Sequence, residues 1–215
     1  MSGRRLPTLF VSHGSPMLAI TESPARRFLV ELGLVLPRPR AIVVFSAHHE
    51  WIPLGLMFPD ADVPVVQVSI ASRRAPAEHV ALGRALRTLR DAGVLLLGSG
   101  GATHNLGLYF TARGDGSVPD WVFAFAEWTT AAIAAGRVSD LERYREIAPH
   151  AVDNHPTPEH FLPLFVVLGA AFGDERGVRI HSSYDRGVLA LDAFAFGFDD
   201  WPGPELPAAT AAVAV

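Results

Sequence analysis

Short apolar runs alternate with stretches of helical period along most of this chain. Thr8–Val11 is an apolar run stopped by Ser12-His13-Gly14-Ser15-Pro16, the pattern of a buried strand that ends in a tight loop. Ser23-Pro24 supplies an N-cap and a proline at the first helical position, predicting a helix to about Leu34 that Pro37 and Pro39 end. Ala41–Phe45 reads as a second strand and runs into Ser46-Ala47-His48-His49-Glu50. Val63–Ile70 reads as a third, after a turn at Pro59–Asp62. Ala77–Asp91 carries Val80, Leu82, Leu86 and Leu89 at helical spacing, with Gly93 as its stop. Val94–Leu97 is a fourth strand, leading into Ser99-Gly100-Gly101-Ala102-Thr103-His104-Asn105. Helices follow at Pro119–Ala135, Ser139–Ile147 and Pro158–Phe172, and late strands at Val178–His181 and Val188–Phe196. The Ala-rich Pro207–Val215 reads as a flexible tail.

This alternation predicts an α/β fold: a single domain over residues 1–206, with a mostly parallel central sheet flanked by helices. In such sheets ligands gather at the loops leaving the carboxyl ends of the strands. His13, His48 and His104 each follow a predicted strand, so all three should face one rim.

Composition narrows the chemistry. Of 215 residues, 49% are hydrophobic and 19% charged, enough apolar material for a sizeable core. The formal net charge of -4 gives no electrostatic case for nucleic acid. All 18 basic residues are arginine. Cysteine is absent, so disulfides, thiolate metal sites and cysteine nucleophiles are excluded, and a bound metal must use histidine or carboxylate. The basic Met1–Arg5 is followed by an apolar stretch broken at once by Pro7 and Ser12-His13-Gly14, which fits neither a signal peptide nor a spanning helix. The expected location is cytoplasmic, with no membrane partner.

Nine histidines remain to be sorted. His79, beside Glu78 on a helix, and His150, in a loop after Pro149, read as surface polar groups. His13 stands apart, because Gly14-Ser15-Pro16 holds its backbone tight and a metal–nitrogen bond of about 2.0–2.1 Å tolerates little drift. His48 and His49 are adjacent and point different ways if the strand continues. His104 lies in a glycine-rich turn. His155 and His160 flank Pro156-Thr157-Pro158-Glu159, with His160 expected in the first turn of a helix and Glu159 as a dipole-complementing acid. His181 is expected to be structural or to support the site from behind. Converging neutral imidazoles suit Fe(II), Zn(II) or a similar borderline ion, and spacing alone does not separate iron from zinc.

Four segments, taken in order, resemble the class III extradiol ring-cleavage dioxygenases, in particular the 4,5-DOPA extradiol dioxygenase-like branch. They are Leu9-Phe10-Val11-Ser12-His13-Gly14-Ser15-Pro16-Met17, Ser46-Ala47-His48, Ser99-Gly100-Gly101-Ala102-Thr103-His104-Asn105-Leu106 and Pro156-Thr157-Pro158-Glu159-His160-Phe161-Leu162-Pro163-Leu164. Pro37–Val44 and Phe58–Gln67 look like the same family. The resemblance implies one divalent metal, Fe(II) or Zn(II), at the carboxyl-end rim. It matches His13, His48, His104 and His160 to the metal-site histidines, and His104 also to a histidine acting on substrate or oxygen. The implied reaction opens a catechol-type ring beside its two hydroxyls and inserts both atoms of O2. The implied partners are thus a small aromatic diol and O2.

One feature departs from the family order. Trp51-Ile52-Pro53-Leu54-Gly55-Leu56-Met57-Phe58-Pro59 follows Glu50 directly, where the family places roughly 60–70 further residues, including an Asp-His-Gly turn and part of the substrate pocket wall. An internal deletion between Glu50 and Trp51 should leave apolar surface near the rim open, which suits a homo-oligomer. It also raises two other readings: a metal-binding member with reduced or no turnover, and a zinc-dependent hydrolase.

Overall fold

The computed structural model describes residues 5–47, 51–112, 114 and 116–197. The expected tail, together with His48, His49 and Glu50, lies outside the described residues. The elements in chain order are β1 (Thr8–Ser12), α1 (Pro24–Val35), β2 (Ala41–Ser46), α2 (Trp51–Met57), β3 (Val65–Ser69), α3 (Pro76–Leu86), β4 (Val94–Gly100), α4 (Leu106–Thr111) and α5 (Asp120–Ala134). Then come α6 (Val138–Glu142), α7 (Tyr144–Ile147), α8 (Ala151–Asn154), α9 (Leu162–Ala170), β5 (Gly177–His181), β6 (Tyr184–Asp185), β7 (Leu189–Ala190) and β8 (Ala193–Phe196).

Six strands form one sheet in the order β3-β2-β4-β1-β8-β5. The first four run parallel, and β8 lies antiparallel to both β1 and β5. The mostly parallel α/β architecture read from the sequence is therefore present. The carboxyl ends of β1 and β4 are level, with Ser12 opposite Gly100, so the loops that follow them leave side by side.

Alternate strand residues feed two cores. Leu9, Val11, Ile42, Val44, Leu95 and Leu97 pack on one face with Phe28, Leu29 and Leu32 of α1 and Ile52 and Met57 of α2. Phe10 on the other face meets Phe125 and Ile133 of α5 and Phe165 and Val167 of α9. Every residue of α9 is buried, so it behaves as a core helix rather than an amphipathic one. It sits close against α3 because Gly83 and Gly169 remove the side chains at the crossing. A Cβ on Gly83 would fall 1.9 Å from the Val166 oxygen, and one on Gly169 2.1 Å from the Val80 oxygen.

Several local expectations are corrected. The Ala77–Asp91 helix is α3 followed by a 3-10 segment at Arg87–Ala92, which ends at the left-handed Gly93. The helix expected from Pro158 begins only at Leu162, because residues 157–161 form turns. The Val188–Phe196 strand is divided into β7 and β8, and β7 pairs with β6 in a small hairpin. His79 is buried at 3% exposure rather than on the surface, with Nδ1 3.0 Å from the Ala75 carbonyl one turn back. Three short helices, α2, α4 and α8, were not anticipated, and the helix expected over Ser139–Ile147 is divided into α6 and α7. No helix among the described residues is long and apolar enough to cross a membrane.

Candidate active site

The rim at the carboxyl ends of β1 and β4 holds three of the four histidines singled out in the sequence. His13 follows β1, and its N–H donates to the Gly100 carbonyl at 2.9 Å, which continues the sheet pairing one residue beyond the strand. Its Nδ1 lies 3.2 Å from the Ser99 Oγ of β4. His160 is fastened to the same strand end, because the Gly101 N–H donates to the His160 carbonyl at 2.9 Å. The approach is so close that a Cβ on Gly100 would stand 2.0 Å from that oxygen. His160 precedes α9 by two residues instead of opening it, and its Nδ1 faces Glu159 Oε1 at 3.4 Å. Glu159 accepts a bond from the Thr157 hydroxyl at 2.7 Å. Burial works against its charge, but Thr157, its own N–H and His160 hold its carboxyl below the ordinary range.

The imidazoles touch. The His13 and His160 ring centres are 5.4 Å apart at 62°. Those of His104 and His160 are 3.4 Å apart at 10°, a stacked pair. His13 and His160 are each 5% exposed. His48, the fourth member, lies outside the described residues, so the structure does not place it. Among the described residues there is no group of three His, Asp or Glu side chains already arranged to hold a metal ion. The donor chemistry nevertheless fits a borderline divalent ion, since clustered imidazoles with no thiolate in the chain are the ligands such ions take.

Sequence reasoning missed the groups that hold the His104 loop. His155 is fully buried among the rings of Phe125, Tyr144 and Phe161. Its Nε2 lies 2.9 Å from the Ala102 carbonyl, which makes Nε2–H the donor. The Asn154 carbonyl accepts the His104 N–H at 2.8 Å, and Asn105 Nδ2 donates to the Asp153 carbonyl at 2.7 Å. Residues 153–155 thus grip the loop at three successive points. On its other side, Thr103 Oγ1 donates to the Val188 carbonyl at 2.8 Å and accepts the Ala190 N–H at 2.7 Å. The Ser12 hydroxyl donates to the Asp192 carbonyl at 2.8 Å and accepts the Ala102 N–H at 3.0 Å. Only polar residues in the 153–155 run could have hinted at this clip in the sequence, since its partners are about fifty residues away.

Burial also sets the local ionisation. It pushes the His155 imidazole down to about 3 and the His181 imidazole down to about 4. It pushes the Asp192 carboxyl up to about 6, against the pull of Arg179, whose Nη1 is 3.7 Å from it. The two histidines are protonated in the unfolded chain below about pH 6.5 but not in the fold, so each removes stability as pH falls from 6.5 toward its folded value. Asp192 acts oppositely, since the fold takes its proton first between about pH 6 and 4. The net excess of about one proton in the unfolded chain predicts that stability drops by roughly 1.4 kcal/mol per pH unit between pH 6 and 4. Urea unfolding at several pH values measures this. The slope should flatten in His155→Gln and steepen in Asp192→Asn.

The Gly100 contact gives a second prediction. Gly100→Ala should displace His160 from the strand end and reduce metal retention. Metal analysis after dialysis, beside circular dichroism, tests it; full metal retention would show that the contact does not position His160.

The chain matches the family described as "Catalytic LigB subunit of aromatic ring-opening dioxygenase" over residues 50–195. It is 31% identical to the 4,5-DOPA dioxygenase extradiol of Beta vulgaris, covering 88% of this chain and 96% of that protein. Their alignment runs over 258 positions, more than the 215 residues here, so it includes positions where the relative has residues and this chain has none. It is 34% identical to the 4,5-DOPA dioxygenase extradiol of Escherichia coli (strain K12), covering 81% of this chain and 89% of that one. A crystal structure of an uncharacterized protein from Escherichia coli K12 superposes with a TM-score of 0.80 at 31% identity, over 90% of this chain and 100% of that chain. The rim of clustered histidines and the α/β sheet that carries it are therefore those of a member of the aromatic ring-opening dioxygenase family, and this chain belongs to its extradiol, 4,5-DOPA dioxygenase-like branch.

Proposed function

We propose that this chain opens the ring of a catechol-type substrate, DOPA-like in form, beside its two hydroxyls, using O2 and one non-haem divalent metal; of the two ions the donor set suits, Fe(II) supports turnover and redox-inactive Zn(II) would only occupy the site. The observation that carries the reading is the contact of His13, His104 and His160 at one strand rim, in a chain of this family. His13, His48 and His160 would hold the ion, with His104 beside them. The ion supplies Lewis acidity that lowers the pKa of the catechol hydroxyls and, as iron, the one-electron chemistry that O2 requires.

The resemblance leaves two roles for His104, and ring geometry favours one. Imidazole lone pairs lie in the ring plane, so two parallel rings with centres 3.4 Å apart do not aim at one ion about 2 Å from each nitrogen. His104 is better placed as the proton carrier. It takes the proton from a catechol hydroxyl oxygen and returns one as the ring opens. The residues 153–155 clip holds its backbone through that exchange, and the buried Phe161 and Leu162 behind His160 keep water from the rear of the site.

Anaerobic loading with Fe(II), followed by catechol or DOPA and O2, should give a yellow ring-cleavage product. A folded, iron-loaded protein that gives none would overturn the reading. A second reading, a metal-binding member with reduced turnover, draws on the alignment gap and on Met17, Ile20 and Trp51, which are 55%, 76% and 64% exposed. We place the gap between Glu50 and Trp51, where pocket wall would be lost. The same assay, with metal content measured in parallel, separates the two readings, and family membership disfavours the hydrolase.

A further inference from the structure

We propose that Ser99 is a positioning residue for the metal site: its hydroxyl holds Nδ1 of His13, so that Nε2 is the nitrogen that binds the ion. The inference rests on the reading above that His13 is a ligand, and it names which of the two ring nitrogens serves and what decides it.

Along β4, Leu95 and Leu97 point into the core that α1 and α2 cover, whereas Leu96 between them belongs to a separate cluster. Side chains alternate along a strand, so Ser99 continues the row of Leu95 and Leu97. That row calls for an apolar side chain at position 99. The chain has a hydroxyl there instead, on a residue 1% exposed. A buried hydroxyl left without a partner costs about 1–3 kcal/mol, so this one has to be bonded to be tolerated. Among the described residues the only side chain that bonds it is His13, whose Nδ1 is 3.2 Å away.

The two residues meet because β1 and β4 are parallel neighbours. Val11 lies opposite Ser99 in the register, and the pairing runs on past β1 through the His13 N–H and the Gly100 carbonyl. His13 is two residues beyond Val11 and so falls on the same face as Ser99. Gly14 follows with a left-handed φ of 60°, which turns the chain away immediately after the ligand. The backbone of His13 and one edge of its ring are thus both fastened to the end of β4.

A neutral imidazole carries one proton, and only its other nitrogen has a lone pair for a metal. A serine hydroxyl can donate to Nδ1 or accept from it, and in either sense it occupies that nitrogen. Once Nε2 binds a cation, Nδ1 carries the proton and the hydroxyl accepts it. This bond fixes the plane of the ring and makes the ligand nitrogen more basic. Serine is uncharged, so it braces the ring without favouring the doubly protonated imidazolium, which cannot bind a metal.

The test is proton–nitrogen correlation spectroscopy of the histidine rings in 15N-labelled protein, with Zn(II) as a diamagnetic probe and His13 assigned by the signals lost in His13→Gln. The zinc-loaded wild type should show His13 with its proton on Nδ1 and zinc on Nε2. Ser99→Ala should lower zinc affinity roughly 10–100-fold in competition with a chelator. In that variant the ring-nitrogen signals of His13 should change while those of His104 and His160 stay. Zinc on Nδ1 of His13 overturns the proposal, and so does wild-type affinity in Ser99→Ala. Changes spread alike over the three histidines would make Ser99 merely structural and overturn it too. His13 signals that ignore zinc overturn the ligand reading itself, and the proposal with it. The wild-type spectrum alone decides between the two nitrogens, so the test survives a variant that fails to fold.

Discussion

Exchange of His104 for glutamine is expected to lower kcat by roughly 10²–10⁴-fold, the usual weight of a positioned acid–base group, while bound metal is retained. Exchange of His13 or His160 for alanine is expected to remove metal and activity together. The contrast follows from the rim geometry. His13 and His160 are buried and their backbones are hydrogen-bonded to the end of β4, so their rings are held where an ion could be gripped. His104 is more open, and its ring lies flat on that of His160, the wrong attitude for a shared ligand and a suitable one for proton exchange with a bound hydroxyl. Metal analysis of each variant, paired with single-turnover kinetics on a catechol, separates the roles. A His104→Gln protein that loses its metal would make His104 a ligand, and the proton would then need another carrier. The pH dependence supplies an independent check, because removing the group that takes the catechol proton should remove one limb of the kcat profile.

Loss of Arg90 should have the largest effect on stability. Its side chain is fully buried at the pole of the sheet opposite the histidines. Its Nη1 and Nη2 grip Glu175 at 2.6 and 2.9 Å. Nε donates to the Leu6 carbonyl at 2.8 Å, and Nη1 donates also to the Ala170 carbonyl at 2.7 Å, at the end of α9. Glu175 is 8% exposed and also accepts the Phe172 N–H at 2.8 Å. Arg90→Leu leaves this carboxylate with only Arg5, 3.9 Å away, and strips the carbonyls of Leu6, Ala170 and Phe196 of a donor, which should cost about 3–5 kcal/mol. For a chain of this length that is a fall in Tm of roughly 10 °C. The double variant Arg90→Leu with Glu175→Gln should recover a large part, since most of the cost is the unpaired buried charge rather than the lost pair. Scanning calorimetry of the three proteins measures it. A double variant as unstable as the single one would show that the arginine's carbonyl bonds, and not its charge, hold this pole.

Much of the fold was legible because strand and helix signals are local. The β-branched run Ala41–Phe45 and the Ser23-Pro24 start each require only a few neighbours to be read, and the structure places β2 and α1 there, with Ser23 Oγ accepting the Arg26 N–H. The turn before α9 was hidden by Pro158-Glu159, which looks like a helix start but is drawn aside by the bond between Gly101 and the His160 carbonyl. The burial of His79 was hidden because the depth of a helical face depends on what lies across it, here the close crossing of α3 and α9 at Gly83 and Gly169. The reversed direction of β8 has the same origin. Strand direction depends on how the chain returns, through a hairpin at β6 and β7, and not on residue pattern.

The sequence by itself determined that this is an α/β chain with histidines at strand ends, and its ordered motifs determined the family. Strand-end position follows from where apolar runs stop, which is a property of adjacent residues. Tertiary structure alone decided which imidazoles touch, that His104 lies against His160, and that His155 grips the loop carrying His104 from about fifty residues away. Such contacts join segments far apart in the chain. They depend on the packing of whole elements, and no local pattern of residues encodes them.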